Sequence, residues 1–594
     1  MRGLDRLSSF FGRVPRCALT TIVVVTVCSG SSSAQEAASE IPAGTFFEPL
    51  AVELVDVDAV VTDGSGAPIT DLTIDDFEIF EDGTPVEITH FYAARGAGGS
   101  SGDDRLVEKI FLVLFLDDTN VDPQLRTSVV SHMRDILAAG LPPGVLTMLV
   151  RFDGSLHIES DFSENAEDVL AALDRVAAEP AMNPHREGEA LVRRMQSFKT
   201  LPPQPKPPTG VFTSTSDEPV FPNDPMDIDP EAMSFIPEIH QYAKRSYIRH
   251  RASLEALRRF TAILGAMPGR TVMLWVGGLE LRSGEMLFRT WQDLFPEAAR
   301  KRAVNLTGET MQYDLSSEME TLLEEVSTDR ISLFPVGVLD GGVRDSASMN
   351  TRILESRGRP GTQGAADAQA RDAALGVMAA VTGGRRLTDN ARLGEQLQQV
   401  AEELSSFYSL GYRPPSPGDD RYHKISVKVK REGADVRHRN GYRASSSEPS
   451  PSERTVAAAL LGTGTNPLGI NATCRAQEPR DDGTFLVPVA VTVPLGSLVL
   501  FPEGGRHTAE ISVLSVVRDK RAGLSEVTER QYPIEIANEH LLSAVEQDAT
   551  FVLAMALRRG PHRIAVTVRD DRSSVESTIW VDVDVGAGSE ASPG

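Results

Sequence analysis

Cysteine is nearly missing from this chain of 594 residues, and two kinds of chemistry go with it. Of its three cysteines, Cys17 and Cys28 lie in an amino-terminal apolar run that reads as a removable leader, which leaves Cys474 alone. A lone thiol makes no intramolecular disulfide and no thiolate metal site. The eleven histidines are scattered, without a His-x-x-x-His or His-Glu-x-x-His spacing, so zinc hydrolysis has no local support. A phosphate-binding Gly-x-x-x-x-Gly-Lys loop is absent, and the one Gly-x-Ser-x-Gly match, Gly98–Gly102, falls in a glycine-rich run rather than on a strand-to-helix elbow. The serine of Asp63-Gly64-Ser65-Gly66 belongs to a hairpin turn instead. Positive charge is short as well. A formal net charge of −25 argues against nucleic acid or an anionic membrane surface as the partner.

Long apolar runs are also scarce. Arg2, Arg6, Arg13 and Arg16 precede the run from Cys17 to Cys28, and Ser32-Ser33-Ala34 offers a cleavage site, so residues 1–34 read as a secretory signal. That run falls short of the roughly 20 residues a spanning helix needs. Cleavage would remove four Arg with Asp5 and take the net charge from −25 to −28. The expectation is an exported chain, periplasmic, extracellular or on the cell surface, with no transmembrane segment once the leader is gone.

What is present is organised around Ile110-Phe111-Leu112-Val113-Leu114-Phe115-Leu116, which runs into Asp117-Asp118-Thr119-Asn120. Seven apolar residues without alternation read as a strand buried on both faces of a parallel sheet. Pro123 can open the next helix, with Leu125, Val129, Met133, Ile136 and Leu137 on one face. Further strands are expected at Val145–Phe152, Thr271–Val276 and Ile331–Val338, with Phe407–Tyr412 closing the sheet. Helices are expected at Asn165–Val176, from near Ile239 to Met267, at Ala373–Val381 and at Leu393–Leu404. Strands separated by helices make a doubly wound, mostly parallel α/β sheet over residues 107–415. From 178 to 237 prolines crowd in, five of them between Pro202 and Pro208, and an extended insertion is expected there.

Period-2 patterns flank this domain. Val52–Thr62, Asp76–Gly83 and Val86–Tyr92 suggest a small antiparallel β module at 46–96. A β-hairpin is expected at 421–444, a Ser/Pro/Glu linker at 445–480, a β-sandwich at 481–588 and a tail at 589–594. The hairpin carries Lys424, Lys428, Lys430, Arg431, Arg437, Arg439 and Arg443. It reads either as an edge strand guarded by charge or as a docking face for an acidic module, such as the chain's own acidic amino-terminal strand.

Val61-Thr62-Asp63-Gly64-Ser65-Gly66-Ala67-Pro68 with Asp76-Phe77-Glu78, and then Phe407-Tyr408-Ser409-Leu410-Gly411-Tyr412-Arg413-Pro414, carry a family likeness. Tyr422-His423-Lys424-Ile425 and Arg437-His438-Arg439-Asn440-Gly441-Tyr442-Arg443 complete it. Over about residues 46–445 the chain resembles the acidobacterial von Willebrand factor A-related family. That resemblance implies a von Willebrand A (Rossmann-like) fold and a protein-binding or adhesive role. It also implies a metal-ion-dependent adhesion site, built from Asp-x-Ser-x-Ser, a later Thr and a later Asp. Here Asp117 and Thr119 take the first two positions, but Val121 stands at the third and Val276-Gly277-Gly278 at the place of the later Asp. The site is therefore degenerate. Asp118, Asn120, Asp122, Asp153 and Asp340 could supply other oxygens for Mg²⁺ or Ca²⁺, or they could simply close strands with turns. The expected function is non-enzymatic protein binding or adhesion, with partner identity open. An envelope scaffold without metal, or a hydrolase whose site assembles only in the fold, are the alternatives.

Overall fold

The computed structural model describes residues 54–95, 110–180, 186–200, 230–267, 269–301, 305–338, 374–389, 392–444, 450–519 and 523–586. The leader and Asp340 lie outside them. Six strands form the central sheet: β1 (Ile110–Asp117), β2 (Val145–Phe152), β3 (Leu156–Ser163), β4 (Arg270–Val276), β5 (Ile331–Val338) and β6 (Leu387–Asp389), in the order β6-β5-β4-β1-β2-β3. All neighbours are parallel except β3, which runs antiparallel to β2 at the edge. The chain is thus mixed α/β, as expected.

Every residue of β1 is buried, yet the strand still alternates. Phe111, Val113 and Phe115 enter one apolar cluster, while Leu112, Leu114 and Leu116 enter another. Helices cover both faces for that reason. On the first face lie α4 (Pro230–Gly265), through Leu257, Phe260 and Leu264, and α6 (Ser316–Thr328), through Leu322 and Val326. On the second lie α1 (Pro123–Ala139), α2 (Ala166–Ala178) and α7 (Leu393–Leu404). Each such side chain contributes roughly 1.5–3 kcal/mol on burial. Asp122 caps α1, its Oδ1 accepting from the Gln124 and Leu125 amides at 2.8 and 3.2 Å, with Pro123 in the first turn.

Several sequence expectations need correction. The stretch 178–237 is not wholly extended: helix α3 (Arg186–Thr200) and the first turns of α4 lie within it. Leu191, Met195, Phe235 and Ile239 bury each other with Trp291 of α5 (Glu285–Leu294), and this apolar cluster outweighs local proline content. The run Pro202–Pro208 lies outside the described residues. Strand β3 is an addition to the expected strands, its Leu156, Ile158 and Phe162 alternating with His157, Glu159 and Asp161.

The largest correction concerns the flanks. Ser406–Tyr412 does not close the central sheet. It pairs antiparallel with Val55–Thr62 on one side and Ile88–Arg95 on the other. Nor do Asp435–Arg437 and Gly441–Arg443 form a simple hairpin with Tyr422–Val429. Asp435–Arg437 joins Val55–Thr62, and Tyr422–Val429 lies between Gly441–Arg443 and Phe77–Glu81. Residues 54–95 and 406–444 therefore make one two-sheet β unit around Val57, Phe77, Tyr408, Leu410 and Tyr412. The boundaries at 96 and 415 cut through it. The basic stretch packs against the amino-terminal part of this unit, while the carboxylates of Asp56 and Asp58 pair with Arg330. Arg439 Nη2 donates to the Asp56 carbonyl at 2.6 Å, and Arg431 pairs with Asp71 at 2.5 Å.

The segment 445–480 is not a bare linker. Ser450 and Glu453 form a capping box and Pro451 opens α8 (Pro451–Leu461), whose Val456–Leu461 is buried in the first cluster of the central domain. Asn471–Cys474 already belongs to the carboxyl-terminal pair of sheets, whose shared core includes Val489, Val491, Val513 and Val566. Arg518 and Arg563 of that unit clasp Asp161 of β3 at 2.7 and 3.1 Å, holding its carboxyl below the usual range against the opposing effect of burial.

The β unit encloses His423, 3% exposed, with Nδ1 2.9 Å from Asp82 and Nε2 2.9 Å from Asp419. Burial disfavours a charged ring, but these two carboxylates outweigh it and raise its pKa. A raised histidine stabilises fully below the unfolded value, about 6.5, and that contribution is lost as pH rises through the folded one. The melting temperature should fall from pH 6 to pH 9 by more in the native chain than in His423→Gln; equal slopes would remove this role. A fragment starting at residue 107 should also melt lower than one starting at residue 54, because it strands Leu410 and Tyr412 without their partners.

Candidate functional site

The chain leaves the carboxyl end of β1 towards β2 on one side and returns as β4 on the other. An open α/β sheet has its crevice at such a switch. Asp117 ends β1 there and is fully buried. A buried carboxylate needs donors, and four converge on it. Oδ1 accepts from the Thr119 amide at 3.2 Å and from Thr119 Oγ1 at 2.6 Å. Oδ2 accepts from Asn120 Nδ2 at 2.9 Å and Ser253 Oγ at 2.5 Å. Burial pushes the carboxyl above its ordinary value, and the hydrogen bonds from Ser253, Thr119 and Asn120 only partly oppose this.

The positions where the adhesion-site pattern fails have structural causes. Val121 is 1% exposed and packs in the second apolar cluster, where a hydroxyl would have no partner. At Gly277 an added Cβ would lie 3.0 Å from Asp117 Cβ and 2.8 Å from Trp275 Cζ2. At Gly278 it would lie 2.6 Å from the Asn120 carbonyl oxygen. Side-chain atoms at Gly277 and backbone at Gly278 fill the space a later Asp would need.

The structure brings Asp117, Thr119 and Asn120 together and sends the other candidates elsewhere. Asp118 turns to Arg126, whose Nε lies 2.8 Å away while its Nη2 holds the Val176 carbonyl at 2.7 Å. Arg151 lies 3.8 Å from Asp118 and 3.1 Å from Asp153, and also pairs with Glu159 and Glu179. Asp153 further accepts from the Ser155 amide and faces His157 Nε2 at 3.0 Å, which together hold it below its ordinary value despite burial. These acids form an ion-pair network around two arginines. Asp122 is spent on capping α1.

Three residues of α4 that the sequence expectations do not include complete the cluster. Ser253, on α4, supplies a hydroxyl from outside the local motif, beside the apolar stripe of Leu254 and Leu257. Arg249, one turn earlier, donates Nε to Asn120 Oδ1 at 2.8 Å and Nη2 to Ser246 Oγ at 3.4 Å. Ser246 in turn donates to Glu280 Oε2 at 3.2 Å. Their signal was a small or charged residue interrupting a helical apolar face, and only the fold tells which element it meets.

As arranged, this donor set does not fit Mg²⁺ or Ca²⁺. Hard cations need about six oxygens, whereas both oxygens of Asp117 accept from protein donors and Asn120 Oδ1 is engaged by a guanidinium. A serine–histidine pair also exists: His250 Nδ1 lies 3.3 Å from Ser246 Oγ and 3.4 Å from Ser283 Oγ. Both serines are 0% exposed, and the carboxylate of Glu280 receives the Ser246 hydroxyl rather than orienting the imidazole. That is not the order in which a triad works.

No family model matches the chain, and no curated protein does. Among solved structures it has a faint likeness to a conserved hypothetical protein, BatB from Bacteroides thetaiotaomicron. That likeness has 9% identity over 50% of this chain and 100% of the other, at a TM-score of 0.19, and it carries no argument.

Removing the carboxylate should show what it holds. Asp117→Ala leaves Thr119, Asn120 and Ser253 with buried donors unsatisfied and should cost about 2–4 kcal/mol in urea unfolding. An unchanged unfolding free energy would show the cluster to be incidental.

Proposed function

We propose that this chain is an exported protein-binding or adhesive protein of von Willebrand A-like type, which meets its partner at the rim where β1 and β4 end. The carrying observation is the pairing of the Asp117 cluster with an open groove of ≈230 Å³ beside it. Thr119, Phe152 and Ala252 line the groove, together with Ile248, which is 56% exposed. The strand order with its single antiparallel edge strand supports the family reading. So does the hydroxyl-rich turn after β1. Among the described residues no helix is long and apolar enough to cross a membrane. The flanking β units, one interleaved with the domain's two ends and one anchored by α8, suit a scaffold that presents this rim. A non-enzymatic reading is preferred because the Ser246–His250 pair is buried and the Ser246 hydroxyl is given to Glu280.

The test is capture of a partner from the cell envelope by the mature protein, with Ala252→Arg as the blocking variant. Ala252 is exposed on α4, so the new side chain should fill the groove without loss of fold. Capture should drop in the variant. Equal capture by both proteins places the contact elsewhere, and no capture by either returns the enzyme alternative. Millimolar Mg²⁺ or Ca²⁺ should leave the melting temperature unchanged; a rise of several degrees would restore a metal role.

A further inference from the structure

The rim of the sheet lacks the oxygens for a cation but does not lack positive charge. Arg249 is half-buried at the groove, held by two neutral groups, Asn120 Oδ1 and Ser246 Oγ. The acids behind these groups, Asp117 and Glu280, reach it only at one remove. Nη1 makes no hydrogen bond among the described residues, and no carboxylate there lies within ion-pair distance of the guanidinium. Arg245, which also lines the groove, is already paired with Glu187. Lys244 and Arg251 are exposed on the same helix, in a chain of net charge −25. Beside Arg249 the groove is apolar, through Phe152, Ile248 and Ala252.

The geometry points to Arg249 as a built-in cation that receives an acidic side chain of the protein partner, flanked by an apolar residue, without any metal. This rests on the binding reading above and adds the chemistry of the contact. A guanidinium held in place by Asn120 and Ser246 is pre-organised to accept a carboxylate, and charge-assisted bonds of this kind are roughly twice as strong as neutral ones. Ile248 and Phe152 supply the neighbouring apolar surface. The cation–ligand arrangement is thereby fixed in the sequence and needs no ion from solution.

The probe is a short capped peptide with one aspartate between leucines, and its asparagine counterpart, titrated into the mature protein and followed by NMR with and without EDTA. The aspartate peptide should bind more tightly than the asparagine peptide, indifferent to chelator. Arg249→Gln should weaken it about ten-fold or more, and Arg249→Lys should recover part of the loss. Binding that survives Arg249→Gln, vanishes with EDTA or ignores the aspartate overturns the assignment. If neither peptide binds, the assignment also fails, while envelope capture blocked by Ala252→Arg would leave the proposed function standing. Unchanged melting temperatures for the Arg249 variants keep a folding defect from imitating the result.

Discussion

A strand buried on both faces can act only at its ends, and β1 governs the molecule in that sense. Its side chains are consumed by two helical layers, so polarity concentrates where the strand stops. The first residue beyond the apolar run is an acid, and the sheet buries it completely. Desolvating a carboxylate costs several kcal/mol unless donors meet it. Everything near Asp117 answers that demand: the turn that brings back Thr119 and Asn120, the serine delivered by α4, and the glycines that let β4 pass close by.

The same demand explains why Val121 and Gly277-Gly278 stand where an adhesion site would need oxygen ligands. Once Val121 is pulled into the apolar layer and Gly277-Gly278 closes over Asp117, the carboxylate has no lone pair to spare for an ion. Protein donors have taken that role. Arg249 follows from this arrangement, since Asn120 offers its carbonyl oxygen outward after giving its amide to Asp117. The neighbouring acids are not reserves for such a site. Arg126 and Arg151 bind Asp118 and Asp153 into a separate network that fixes β2, β3 and α2.

Legibility in the sequence followed the range of the interaction. The buried strands Ile110–Leu116, Val145–Phe152 and Ile331–Val338 and the helix Leu393–Leu404 were readable because burial and helical period are local properties. Asp117 and Thr119 were readable because they adjoin such a strand. Ser253 and Arg249 were not, since their significance comes from a contact across more than a hundred residues. Two misses had local signals all the same. Leu156–Ser163 alternates, and Ser450-Pro451-Ser452-Glu453 is a capping box before an apolar run; both signals are short and flanked by turn-forming residues. The stretches 61–68, 407–414 and 437–443 lie far apart in sequence yet meet in one β unit, which composition alone could not show.

That β unit has a consequence for how the chain comes into being. Val55 finds its partner at Tyr412, and Phe77 pairs opposite Val429. As synthesis proceeds from the amino end, these first strands emerge long before the residues that complete their sheets, and closing so long a loop carries an entropic cost before any contact repays it. The central sheet, whose partners are nearer in sequence, can assemble in the interval and bring the two ends side by side. Strands made early in synthesis are then the last to find their place.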